Sequence, residues 1–154
     1  MKKIGYVGVL TGIRKNEKEK PDNRKSFTLL YDPEKPILYS SAKVTIGGKT
    51  IFTDKAIWDT GATMTFISHA TAERFGTIPD DHGTSISATD RNDADIYLAI
   101  VELPGGIIFR DIEVWDVDLS HHGAEVVIGM DIISKGKLVV ETVNNIPTFS
   151  FSIE

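Results

Sequence analysis

The 154-residue chain contains no cysteine. Disulfides, thiolate metal sites and cysteine nucleophiles are therefore excluded. The absence also fits a reducing compartment. Long apolar runs are missing too: no stretch approaches the ~20 residues that cross a bilayer as a helix. Lys2 and Lys3 precede the apolar segment Ile4–Leu10, but Gly5 and Gly8 interrupt it. It leads into the charged run Arg14–Lys20 rather than a small-residue cleavage site, so no signal peptide is expected. A soluble, cytoplasmic protein with no membrane partner is the expectation. An excess of basic charge is also lacking. Seventeen Lys and Arg stand against 22 Asp and Glu, a formal net charge of −5, which argues against a nucleic-acid partner. The chain has no internal repeat and no low-complexity segment.

What is present is a globular composition, 41% apolar and 25% charged. The length fits one domain with a sizeable core. Apolar residues recur with period two or in short runs rich in Val, Ile, Thr and Phe, separated by Gly, Pro, Asn and Asp. That pattern predicts short strands joined by turns, hence a mostly β fold. Strands are expected near Ile4–Leu10, Phe27–Tyr31, Leu38–Ile46, Thr50–Asp59, Thr84–Thr89, Tyr97–Leu103, Ile107–Val117, Val126–Ile128, Leu138–Glu141 and Thr148–Ile153. Gly47-Gly48 and Pro104-Gly105-Gly106 read as hairpin turns, and Asn144-Asn145 is a weaker turn signal. One helix is expected over His69–Phe75, capped by Ser68 and stopped by Gly76. A second is expected over Asp131–Ser134, ending near Gly136. Residues 14–25 hold six basic and three acidic side chains and read either as a solvated loop or as a mobile, cleavable arm.

The segment that carries chemistry is Ala56-Ile57-Trp58-Asp59-Thr60-Gly61-Ala62-Thr63. A predicted strand runs into a carboxylate, a small hydroxyl and a glycine. A carboxylate at a strand end loses hydration unless it caps something or does chemistry. Gly61 lets the backbone turn sharply, and the Thr60 hydroxyl is expected to tie the turn down. Asp-Thr-Gly alone also fits an ordinary turn. Its context is more specific: a hairpin before it, the apolar run Met64–Ile67 after it, and then a capped helix. A second block, Val126-Val127-Ile128-Gly129-Met130-Asp131-Ile132-Ile133, is apolar with one glycine before a short helix.

Together and in this order, the two blocks resemble the retropepsin-like (retroviral-type) aspartic protease family, in its cellular or bacterial form. The resemblance covers roughly Leu38 to Ile153. It divides the chain into an N-terminal extension, residues 1–36, and a protease domain, residues 37–154. It implies a closed six-stranded acid-protease barrel with one or two short helices. It also implies that the Gly129 strand passes beside the catalytic loop. A flap hairpin would come from Thr84–Leu103, with its tip at Asp90–Asp93. Asp59, Thr60 and Gly61 become the catalytic residues, and Ala62, Thr63, Ser87, Ala88 and Thr89 the substrate-binding ones. The substrate would be a peptide or protein, with no cofactor and no metal. Two departures stand out. Trp58 replaces the more usual aliphatic residue, and the flap tip is charged rather than glycine-rich.

Aspartic proteases need two facing carboxylates that share a proton. This chain has one Asp-Thr-Gly and no Asp-Ser-Gly. A homodimer is therefore expected to complete the site. Asp131 reads instead as a helix N-terminal residue. The family places terminal strands at the dimer interface, which suggests Thr148–Ile153 through Phe149, Phe151 and Ile153.

Other constellations read as ordinary structure. His121-His122 lacks a spaced third ligand and reads as a solvated loop. Ser68 and His69 are neighbours, not a nucleophile–base pair. Gly47-Gly48-Lys49-Thr50 is similar to the end of a phosphate-binding loop but lacks the upstream glycine. The acidic run Asp90–Asp95 does not match calcium-loop spacing. An aspartic endopeptidase is the leading expectation. The alternative is a catalytically weak peptide-binding or dimerisation module on the same fold, which leaves the carboxylate of Asp59 unexplained.

Overall fold

The computed structural model describes residues 24–154. The expected strand Ile4–Leu10 and most of the charged segment 14–25 lie outside the described residues. The chain within them forms ten strands and two short helices, mostly β as the alternation predicts.

Strands β2 (Tyr39–Ile46) and β3 (Lys49–Trp58) form a hairpin closed by Gly47 and Gly48. Both glycines have positive φ, 57° and 78°, as a two-residue hairpin loop of this hand requires. Next come β4 (Thr65–Ser68), α1 (His69–Phe75), β5 (Asp81–Ile86), β6 (Arg91–Leu103), β7 (Ile107–Val117), β8 (Val126–Ile128) and α2 (Met130–Ile133). The hydrogen-bonded order is β2-β3-β8-β4-β7-β6-β5, and β6 returns to pair with β2 at Val44↔Val101. Six strands thus close into a barrel. Strand β5 hangs outside the ring on the N-terminal half of β6. Closure leaves those six strands without a free edge.

The inward residues of the ring are the alternating apolar set. Val44, Ala56, Ile67, Val101, Val114, Val126 and Ile128 are each almost wholly shielded from solvent. One strand is absent from the sequence-based expectations. Thr65–Ser68 reads as an apolar run behind Asp-Thr-Gly, yet it is β4, parallel to β7 and antiparallel to β8. Its four residues are too few to show a period, and its partners are distant in sequence.

A second sheet of three strands has the order β1-β10-β9, with β1 at Lys25–Leu30, β9 at Lys137–Val143 and β10 at Ile146–Ile153. Asn144 and Asn145, both at positive φ, turn β9 into β10. Strand β1 lies within the expected N-terminal extension, and its Phe27 is buried in the main core. The strand expected to reach a second copy is differently engaged. Phe149 and Phe151 are fully buried against Phe27 and Trp58 of their own chain, with Trp58–Phe151 ring centroids 4.9 Å apart. Both edges of β10 are also hydrogen-bonded within the chain, to β1 and to β9. Large aromatic faces gain most from close packing on one another, and here the partners are intramolecular.

Candidate active site

Trp58 ends β3 and anchors the start of the Asp-Thr-Gly turn. It is 5% exposed, and its indole N–H donates to Ser40 Oγ at 2.9 Å, so the buried donor is satisfied. On the far side β8 runs parallel to β3, and the Asp59 amide donates to the Ile128 carbonyl at 3.0 Å. The backbone of Asp59 is therefore held by the barrel while its side chain is exposed. Its Oδ1 accepts the Gly61 amide at 2.8 Å, and its carbonyl accepts the Ala62 amide at 3.2 Å. A Cβ on Gly61 would lie 3.1 Å from that same Oδ1. A glycine here keeps the carboxylate uncrowded. Thr60 is exposed, and its hydroxyl has no hydrogen-bond partner among the described residues. The tie expected of Thr60 is made by the Gly61 amide instead.

The second block braces this turn from behind. Gly129 is buried, and a Cβ built there would collide with the Met64 carbonyl and lie 3.0 Å from the Ala62 carbonyl. The Met130 and Asp131 amides donate to the Ala62 and Thr63 carbonyls at 2.7 and 3.2 Å. The Asp131 carboxylate accepts the Thr65 amide (3.1 Å), the Thr65 hydroxyl (2.8 Å) and the Ile132 amide (3.0 Å). Thus Asp131 stands at the start of α2, as expected, and also stitches α2 to β4. Its oxygens are occupied by these donors, so it is no second free carboxylate.

Asp59 opens onto a groove of about 1820 Å³. Asp59, Gly61, Ala62 and Thr63 line it from the turn, and Ser87, Ala88 and Thr89 from the hairpin opposite; Thr60 does not line it. The hairpin is β5–β6, with the register Asp81↔Ile96 through Ile86↔Arg91. Its tip is Ser87–Asp90 rather than the expected Asp90–Asp93. The Ser87 amide donates to the Asp90 carbonyl at 2.8 Å, and the Asp90 amide donates to Ser87 Oγ at 3.1 Å. Polarity alone marked residues 90–93 as a turn, but Arg91, Asn92 and Asp93 are strand residues paired with Ile86, Ser85 and Thr84. Nearer its base the hairpin packs closely against an indole. A Cβ at Gly83 would come 2.5 Å from Trp115 Cη2.

Sequence reasoning missed the histidines of this groove. His69, His82, His121 and His122 all line it, and they are the chain's four histidines. His121 and His122 are exposed in the loop before β8, as expected. The other two are paired. His82 Nδ1 lies 2.8 Å from Asp95 Oδ1, its cross-strand partner. His69 Nδ1 lies 3.1 Å from Asp116 Oδ2. The Asp116 carboxyl raises the His69 ring above its ordinary value by hydrogen bond and charge. Burial pushes Asp116 itself up, more than His69 draws it down. The asymmetry follows from exposure, 70% for the His69 side chain and 9% for that of Asp116. No sequence spacing signals a pair 47 residues apart.

A carboxylate on a glycine turn, backed by a glycine strand inside a six-stranded barrel, is the architecture of the retropepsin-like aspartic proteases, and the chain has that fold. The sequence model of the family described as "gag-polyprotein putative aspartyl protease" matches residues 42–135, and the chain belongs to this family. Among solved structures, it is similar to a retropepsin-like aspartic protease from Rickettsia conorii, with a TM-score of 0.56 and 14% identity over 85% of this chain and 94% of that one. It also matches the Simian Foamy Virus (mac) protease, with a TM-score of 0.40 and 18% identity over 62% of this chain and 92% of that one. The retroviral protease-like domain of Ddi1 from Leishmania major matches with a TM-score of 0.42 and 21% identity, over 73% and 91%. The curated proteins gave no match.

Proposed function

We propose that this chain is an aspartic endopeptidase whose active centre forms when two copies pair, each supplying one Asp59. One observation carries the reading. The sole Asp-Thr-Gly of the sequence presents an exposed carboxylate, on a rigidly held turn, to a groove large enough for a peptide. A single carboxylate is half of what the reaction needs. Two of them about 3 Å apart share one proton and titrate as a unit. The ionised member takes a proton from water as the water attacks the peptide carbonyl. The protonated member donates to the carbonyl oxygen and stabilises the charge that develops there. Exposure of Asp59 and Thr60 in the single chain suits a turn that meets its own copy across a two-fold axis. Strand β10 has both edges hydrogen-bonded within its own chain, so a second copy would meet its outward face or another surface rather than extend its ladder.

The test is digestion of a peptide library from acidic to neutral pH, with Asp59→Asn as control and activity followed against protein concentration. Cleavage that disappears with Asp59→Asn and rises more steeply than linearly with concentration supports the reading. Persistent cleavage by Asp59→Asn, or full activity from a monomer at every concentration, refutes it.

A further inference from the structure

The groove is electrically one-sided. Asp59, Asp90, Asp93, Asp95, Asp116 and Asp118 line it, and among the described residues no lysine or arginine does. The described residues include eleven such cations, Arg24 to Lys137, so their absence from this lining is selective among those residues. Among the described residues, the basic groups on the lining are the four histidines. Two of the six carboxylates have such a histidine, Asp95 with His82 and Asp116 with His69. None of the other four is paired with a lysine or arginine among the described residues, although His121 and His69 act on Asp118 through space. Asp118 accepts the Ser120 amide, and Asp90 accepts the Arg91 amide and the Asn92 side chain. These neutral donors stabilise the negative charge without cancelling it. The floor between the acids is apolar, formed by Ile57, Phe66, Leu119 and Val127.

We infer that the substrate of this groove is a cationic peptide, with lysine or arginine side chains on either side of an apolar residue, selected by Asp93 and Asp118 at the groove walls. The inference rests on the reading of the groove as the peptide site. A cleft lined by one sign of charge concentrates the field and raises the local concentration of opposite charges by roughly 10- to 1000-fold. An acidic peptide meets the same field as repulsion, so the preference is built from rejection as well as attraction. Asp90 at the hairpin tip lies on the same lining, so the charge extends to the side of the groove that faces the Asp59 turn.

The experiment measures binding, so that charge preference is separated from chemistry. Full-length Asp59→Asn protein is titrated at about pH 7.5, where aspartate side chains are ionised. The probes are two fluorescent peptides with the same apolar centre, one flanked by lysines and one by glutamates. The lysine peptide is expected to bind about tenfold tighter or more, with the gap narrowing as salt shortens the Debye length from ~10 Å to ~3 Å. Adding Asp93→Asn and Asp118→Asn should shrink the gap at least about threefold. Adding Asp54→Asn and Glu141→Gln, the same change in net charge on exposed residues outside the groove, should leave it unchanged. Equal affinities, a preference for the glutamate peptide, no binding of either, or equal shrinkage in both double variants overturns the inference. Cleavage of both peptides by the wild-type protein without charge preference would overturn it and leave the protease reading intact. Preferential binding of the lysine peptide with no cleavage of either would do the reverse.

Discussion

The two walls of the groove are built in opposite ways. The Asp59 turn is held from behind by buried strands. Its amides and carbonyls bond to Ile128, Met130 and Asp131, and Gly129 sits too close to Met64 to admit a side chain. The β5–β6 hairpin facing it is exposed from Ser87 to Asn92, and its tip is held by three hydrogen bonds between Ser87 and Asp90. One wall fixes a carboxylate, and the other is lightly held at its tip. Local stability follows buried apolar contact and shielded hydrogen bonds, so the hairpin tip belongs to the low end of the scale and the turn to the high end. A peptide site gains from this division. Positioning of the reacting group must be rigid, and entry of a chain requires that something open.

The comparison can be broken at several points. The largest effect is expected from Asp59→Asn, which should lower kcat/KM by about a thousandfold or more, since it removes the base while keeping the shape. Its melting temperature should match the wild type. A Gly129→Val variant should lose about 3 kcal/mol or more of stability in denaturant unfolding, because the new methyl groups meet backbone carbonyls rather than yielding side chains. A wild-type unfolding midpoint there would mean that the brace is looser than the turn requires.

Smaller effects should appear on the lightly held wall. Amide exchange at residues 87–90 should be faster than at residues 126–129, and should slow when a peptide-like inhibitor occupies the groove. Unchanged exchange with the site occupied would separate this hairpin from substrate closure. The smallest effect concerns His69. Its NMR titration should fall above the ordinary 6.5, and Asp116→Asn should bring it down. Both members of this pair bind their proton more tightly when folded than unfolded. Each therefore contributes stability on the acid side and loses it as pH rises, Asp116 above its ordinary 3.8 and His69 above 6.5. A His69 titration unmoved by Asp116→Asn would show that the contact is not kept in solution.

Sequence pattern conveyed the fixed wall better than the lightly held one. Period-two alternation and the Gly-Gly turn located β2 and β3, and the apolar Val126–Ile128 run located β8. Each of these is a local signal. The tip of the hairpin was misplaced because charge at Arg91–Asp93 looks like a turn, whereas the turn is made by Ser87 Oγ capping the Asp90 amide. The alternation of Phe149 and Phe151 was legible, but not the surface they meet, since Phe27 and Trp58 lie far away in sequence. The Asp-Thr-Gly turn was readable from three residues. The histidine–carboxylate pairs of the same groove arise only when β7 comes beside β4, and β6 beside β5.

The bond from the Asp59 amide to the Ile128 carbonyl also governs when the carboxylate takes its position. It joins the first hairpin of the barrel to a strand made much later in synthesis, and such long loops close slowly. A nascent chain can complete β2 and β3 and still leave Asp59 on an untethered end. We expect the Asp59 turn of the growing polypeptide to stay unfixed until β8 has left the ribosome and docked. On that view the order of synthesis itself sets when Asp59 is held in its place on the barrel.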